Sequence, residues 1–146
     1  MKIEIKKAQK KDFGEITEIY TEEFSKHPYN EPWTREKAIE KMKIFSKYCE
    51  IWKIISENKI AGFLVINPYQ WCPGECIFGE VMAVKSELQN KGIGEKTWEL
   101  IFEEYQKRGF KTFIGIQNRN SKVKNIYKRI GMKESQENFV IGRSLE

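Results

Sequence analysis

Histidine occurs once in this 146-residue chain, as His27, alongside three cysteines and four prolines. One histidine excludes a His-rich metal centre. No Ser/His/Asp or Cys/His constellation is evident that would activate a covalent nucleophile. Cys49, Cys72 and Cys76 make an odd count without the spacing of a disulfide framework. The segment Cys72-Pro73-Gly74-Glu75-Cys76 has the look of half a metal clip, but it lacks a second ligand pair, so no metal is expected. No apolar run approaches the roughly 18 residues that a membrane span needs. The stretch Met1-Lys2-Ile3-Glu4-Ile5-Lys6 does not read as a signal peptide, and the expected location is the cytoplasm.

Hydrophobic residues at 40% and charged residues at 32% are ordinary for a globular protein, which excludes wholesale disorder. The length suits one domain over residues 1–146. Lys and Arg exceed Asp and Glu by 26 to 21, a formal charge of +5. Such a balance fits a phosphorylated ligand, an acidic partner or a solvated basic surface, and charge alone does not choose among them. No aromatic-interleaved basic stretch points to nucleic acid, so no nucleic-acid partner is expected.

Periodicity predicts one mixed α/β unit. Residues 2–9 alternate as a strand through Ile3 and Ile5. Asp12 offers an N-cap with Glu15 as its capping-box partner, and Phe13, Ile16, Ile19, Tyr20 and Phe24 follow at helical spacing over 12–24. Two prolines break the pattern in 27–33, after which Thr34 can cap a helix carrying Ala38, Ile39, Met42 and Phe45. Residues 49–56 and 60–67 are strand-like about a tight turn at Glu57-Asn58-Lys59, and a further strand is expected over about 76–84. A long helix over 92–107 carries Ile93, Trp98, Ile101, Phe102 and Tyr105, and a strand over 110–116 follows it. Asn120 can cap a short helix with Val123, Ile126, Tyr127 and Ile130 on one side, ended by Gly131. Residues 138–144 are expected as a last strand. Helices separate strands only in places, so the sheet is mixed rather than purely parallel.

Chemistry concentrates in residues 80–131. A buried strand, Val81-Met82-Ala83-Val84, leads into Gln89-Asn90-Lys91-Gly92-Ile93-Gly94, which opens the long helix. Glycines without Cβ let main chain approach a ligand closely, and the unpaired N–H groups and dipole of the helix start favour an anion. Lys91 and Lys96 add positive charge. This is a pyrophosphate site by its physics. The dinucleotide G-x-G-x-x-G and the P-loop Gly-Lys-Ser/Thr are both absent.

The same segment resembles the Gcn5-related N-acetyltransferase (GNAT) superfamily, whose signature Q/R-x-x-G-x-G/A follows a bulged strand. Gln89, Gly92 and Gly94 match its fixed positions, and Asn120, Tyr127 and Gly131-Met132 match a second feature downstream. Val123 departs from the usual Ala and Met132 from the usual Phe. The resemblance implies a GNAT-like α/β fold: a mixed, mostly antiparallel sheet, splayed between strands 4 and 5 and flanked by about four helices. It implies acetyl-CoA as cofactor, its pantetheine arm pairing with the main chain of Met82, Ala83 and Val84. Gln89, Asn90, Lys91, Gly92, Ile93, Gly94 and Glu95 would hold its pyrophosphate, with Asn120 bonding nearby. Tyr127 would stand beside the sulfur as general acid, although a plain core aromatic also fits its position. Attack requires a neutral amine, and an alkylammonium has a pKa near 10, so a base is needed. Glu80, an acid in an otherwise apolar strand, is the candidate base; a salt-bridged structural glutamate is the alternative.

The acceptor is expected to meet the loops around 22–33 and 68–75, where Glu22, Glu23, Glu31 and Glu75 offer anionic groups. Tyr29, Trp33, Tyr69 and Trp71 offer flat walls and cation–π faces, although Trp33 could equally staple the second helix. Glu23, Tyr29, Trp33, Trp71 and Glu80 are therefore the candidate substrate residues. A loose likeness to aminoglycoside 6'-N-acetyltransferases points to a small-molecule amine. A protein N-terminal or lysine acetyltransferase comes next, then a non-catalytic acetyl-CoA-binding sensor or a basic nucleic-acid-binding module. The family also implies a homodimer as an option.

Overall fold

The computed structural model describes residues 1–121 and 124–146. The elements are β1 (Ile3–Lys7), α1 (Phe13–Ser25), α2 (Arg35–Tyr48), β2 (Glu50–Ser56), β3 (Lys59–Asn67), β4 (Cys76–Val84), α3 (Ile93–Lys107), β5 (Thr112–Gly115) and α4 (Lys124–Arg129). They build a five-stranded sheet in the order β1-β2-β3-β4-β5, antiparallel throughout except for the parallel pair β4–β5. The expected mixed, mostly antiparallel sheet is what forms.

One apolar cluster lies on each face of the sheet. Ile16, Ile19, Tyr20, Met42 and Phe45 of α1 and α2 pack on Ile51, Phe63, Val65 and Ala83. Ile93, Trp98, Ile101 and Tyr105 of α3 pack on Trp52, Ile54, Leu64, Ile66 and Ile77. The central strand β3 is covered on both sides, which explains its continuous apolar run. Tyr105 enters the core with its hydroxyl satisfied by Trp52 Nε1, at 3.0 Å, and by Glu50.

Several local signals act as expected. Thr34 Oγ1 accepts from the Lys37 N–H at 3.2 Å and caps α2. Glu57 and Asn58 both take positive φ, 51° and 60°, as a two-residue hairpin requires. Gly131 takes φ of 86°, and N–H groups of Gly131 and Met132 return to the carbonyls of Lys128 and Tyr127, closing α4.

Two expectations are corrected. Asp12 does not cap α1 with Glu15: its carboxylate accepts from the Gln9 N–H (2.8 Å) and Lys53 Nζ (2.9 Å), while Glu15 pairs with Lys85. The box forms one turn early because Lys53 of β2 draws the carboxylate toward the sheet. The expected cap by Asn120 falls on the N–H groups of residues 122 and 123, which lie outside the described residues; the Asn120 N–H itself closes a turn on Asn118 Oδ1 at 2.8 Å. Val123 lies outside the described residues. The last strand does not form: Phe139, Val140 and Ile141 are 86%, 72% and 83% exposed, and β5 ends the sheet. A short apolar run becomes a strand only when a neighbour completes the ladder, and among the described residues none does. No described helix is long and apolar enough to cross a membrane.

Candidate active site

The site begins where two strands part. β4 and β5 pair from Cys76↔Thr112 to Gly79↔Gly115, after which β5 stops and β4 continues to Val84. The Phe113 ring occupies the junction: a Cβ on Gly79 would stand 2.9 Å from it, and one on Gly115 3.1 Å. The other edge of β4 stays paired to β3, with one interruption. Val65 pairs with Val81 and Ile66 with Gly79, so Glu80 is the extra residue of a β-bulge. Beyond Gly79 the main chain of Glu80–Val84 therefore has a strand on one side only.

The bulge re-aims the Glu80 side chain. Its Oε1 accepts from Asn67 Nδ2 at 3.1 Å. Its charge reaches the α1–α2 side of the sheet. Burial pushes the Cys49 thiol up to about 11, and Glu80 adds to that shift. Burial also drives the Tyr20 phenol well above its usual value, helped by Glu31 and Glu80. Glu80 and Glu31 thus both lie within electrostatic range of Tyr20. No salt bridge to Glu80 occurs among the described residues; Asn67, a neutral amide, is its hydrogen-bond partner.

The glycine loop follows. After a 3-10 turn, Ser86–Leu88, the chain passes through Asn90 and Gly92 at φ of 62° and 79° and enters α3. The first in-helix bond is Lys96 N–H to the Gly92 carbonyl, 3.1 Å, and no side chain caps the helix. The N–H groups of Ile93, Gly94 and Glu95 are the unclaimed donors of that first turn. Gly94 lies 3.6 Å, measured from an added Cβ, from the Met82 methyl, so loop and β4 touch. Glu95 is held by Arg129 at 2.9 Å, joining the start of α3 to α4. Lys91 is exposed beside this turn. An open strand edge ending at an uncapped helix start suits an amide-bearing arm with a diphosphate at its end. Gln117, just past β5, adds a buried Nε2 without a partner.

Tyr127 sits at 6.3 Å, ring to ring, from Trp98 and is half-buried. Burial pushes its phenol up to about 12, with Tyr29 adding to the effect. The structure thus brings Tyr29, in the loop between α1 and α2, into the electrostatic range of Tyr127. Tyr29 also packs on Phe24 at 4.7 Å, and Trp33 on Tyr20 at 4.4 Å with its indole Nε1 buried and unpartnered. Trp71 lies against Phe78 (5.6 Å), 46% exposed. Glu75 is drawn to Lys111, 3.1 Å away. Glu23 is 8% exposed and bound to Ser86 and Gln89 rather than open to a ligand.

Sequence reasoning missed Asn67, Ser86, Gly62 and Gln117. An isolated glycine inside a strand pattern is a recognisable sign of close backbone approach, and it could have found Gly62. For Ser86, nothing local sets it apart from other loop serines.

The profile described as the acetyltransferase (GNAT) family matches residues 13–132. No curated protein matches the sequence. A possible acetyltransferase from Clostridium difficile 630 is similar in structure with a TM-score of 0.81 at 15% identity, covering 99% of each chain. AAC(6')-Iy, solved in complex with the bisubstrate analog CoA-S-monomethyl-acetylneamine, gives 0.74 at 10% identity, again over 99% of each. A ribosomal-protein-alanine N-acetyltransferase from Brucella melitensis biovar Abortus 2308 gives 0.75 at 12% identity over 98% of this chain and 100% of that one. At such identities these likenesses concern the fold.

Proposed function

The chain belongs to the acetyltransferase (GNAT) family, and we propose that it moves an acetyl group from acetyl-CoA to a primary amine of a small molecule, by direct attack in a ternary complex. The observation that carries this reading is the corner formed by the β4 bulge. Glu80 there faces Tyr20 and Glu31, and Tyr29 comes within range of Tyr127. A loop folded over the end of an open strand encloses a compact cation better than it receives an extended peptide.

Acetyl-CoA supplies an activated acyl thioester. The main chain of Met82, Ala83 and Val84 offers unpaired strand groups for the pantetheine arm. The N–H groups from Asn90 to Glu95 offer donors for the diphosphate, with Lys91 adding charge and Asn120 and Gln117 the nearby amides. Glu80, steadied by Asn67, accepts the ammonium proton directly or through water, so that the amine nitrogen gains its free lone pair. Trp33, Tyr29 and Trp71 supply walls for the amine.

Tyr127 keeps its proton at any working pH because its phenol is raised to about 12. Full transfer to a thiolate of pKa about 8.5 is uphill by roughly 5 kcal/mol. Tyr127 therefore acts as a hydrogen-bond donor to the departing sulfur rather than as a free acid. This reading keeps the residue but narrows its role.

The test follows CoA release over a panel of aminoglycosides, polyamines, amino acids and short peptides. Glu80→Gln should lower kcat/KM by about 100-fold or more near neutral pH, with the deficit shrinking as the amine itself deprotonates. Tyr127→Phe should cost about tenfold in kcat with acetyl-CoA affinity retained. Peptide-only turnover would move the acceptor class to protein. Turnover unchanged in both variants would remove these residues from the mechanism, and absent acetyl-CoA binding would sink the reading.

A further inference from the structure

Glu23 stands out as a carboxylate with both oxygens bonded inside the protein. It is 8% exposed, on the last turn of α1. Oε1 accepts from Ser86 Oγ at 2.7 Å and from Lys26 Nζ at 3.0 Å, and Oε2 accepts from Gln89 Nε2 at 2.9 Å. Lys26 also contacts the Ser86 hydroxyl. The Gln89 amide then spends its other N–H on the Val84 carbonyl at 2.8 Å. One continuous chain of bonds thus runs from α1, through the first residue of the glycine loop, to the end of β4.

We propose that Glu23 is a positioning residue for the cofactor loop, acting through Gln89 and Ser86, and not a ligand of the amine. The proposal rests on the reading of residues 89–95 as the diphosphate site. Apart from this brace, the connection is held by two local main-chain bonds, Leu88 N–H to Lys85 and Gln89 N–H to Ser86, and at its start by Lys85, whose N–H bonds the Ala61 carbonyl and whose ammonium pairs with Glu15. Asn90, a non-glycine residue at φ of 62°, needs its surroundings to hold it there. Both Gln89 amide hydrogens are used inside the protein, so that side chain orients main-chain donors toward the ligand without meeting it. Lys26 balances the Glu23 charge, which spares an incoming anion its repulsion. An amine seeking Glu23 would have to displace Lys26, Ser86 or Gln89 from an almost closed site.

Charge and positioning predict opposite signs for Glu23→Gln. Removing a carboxylate near an anion site tightens anion binding if charge alone matters. If position matters, the new amide places an N–H against a donor, the brace loosens, and binding weakens. Binding of acetyl-CoA and of S-acetyl-pantetheine, which lacks the diphosphate, is measured on full-length wild type and Glu23→Gln, together with the amine KM. The expected result is about tenfold weaker acetyl-CoA binding, with the fragment and the amine KM each within about twofold of wild type. Unchanged or tighter acetyl-CoA binding overturns the proposal. So does a raised amine KM with cofactor affinity intact, which would return Glu23 to the acceptor, and so does an equal loss for cofactor and fragment. If Glu23→Gln does not fold, Ser86→Ala must show the same diphosphate-selective loss at about threefold, or the proposal falls. Failure of the wild type to bind acetyl-CoA would instead refute the functional reading itself.

Discussion

Gly62 sits in β3 opposite Val84, at the far edge of the segment assigned to the pantetheine arm. A Cβ built there would stand 2.9 Å from Val84 Cα and closer still to the Ala83 carbonyl oxygen, against an ordinary contact distance of 3.4 Å. Both obstacles are main chain, and a methyl has no rotamer with which to avoid them. In Gly62→Ala the end of β4 must therefore move on the order of 1 Å away from β3, at a cost of about 1–3 kcal/mol for overpacking. The melting temperature should fall by about 3–10 °C. A displacement of that size also misplaces the free N–H and C=O groups of β4, and the loss of two hydrogen bonds weakens acetyl-CoA binding by about tenfold or more. Thermal melts and acetyl-CoA titration read the two effects separately. Gly14→Ala is the control: it lies in α1 with nothing within 4 Å of an added Cβ, and alanine there should stabilise by about 0.5–1 kcal/mol. A Gly62→Ala protein that melts and binds like wild type would refute the β3–β4 register and the assignment of the open edge.

The buried pair of Asp12 and Lys53 gives a second prediction. Burial raises the Asp12 carboxyl, but the Gln9 N–H and the Lys53 ammonium outweigh it and hold the group below its usual range. A depressed carboxylate contributes stability above its unfolded pKa of about 3.9 and loses it as pH falls through the lower folded value. Asp12→Ala should cost about 3 kcal/mol near neutral pH, and less at about pH 2–3, in urea unfolding; an equal cost at both would refute the pairing. At the alkaline end Tyr20, Tyr105 and Tyr127 are all raised by burial. The folded protein keeps protons there that the unfolded chain releases above about pH 10, so stability falls with rising pH by up to about 4 kcal/mol per unit. Lys7, whose ammonium burial lowers, works in the opposite direction and softens the slope. Unfolding free energies between about pH 9 and 11, with phenolate absorbance followed in parallel, check this; all six phenols ionising near 10 in a still-stable fold would disprove it.

The features legible from residue order alone are local in their physics. Apolar period reveals the faces of α1, α2 and α3, an Asn in a two-residue turn accepts positive φ, Thr34 reaches an N–H three residues on, and two glycines before a long helix expose an anion-binding start. Each of these is decided within a turn or two of chain, so residue order suffices. Tertiary structure decided whatever needed a partner from far along the chain. Lys53 diverted Asp12 from its helix, Ser86 and Gln89 occupied Glu23, and the Ala83–Val84 main chain made Gly62 obligatory. The apolar run at 139–141 built no strand because a strand is stabilised by its neighbour and not by its own residues. Glu80 lies between these cases. Its acid was conspicuous in an apolar run, but only the extra residue in the β3–β4 ladder turned it toward Asn67, since a bulge is a property of two strands at once.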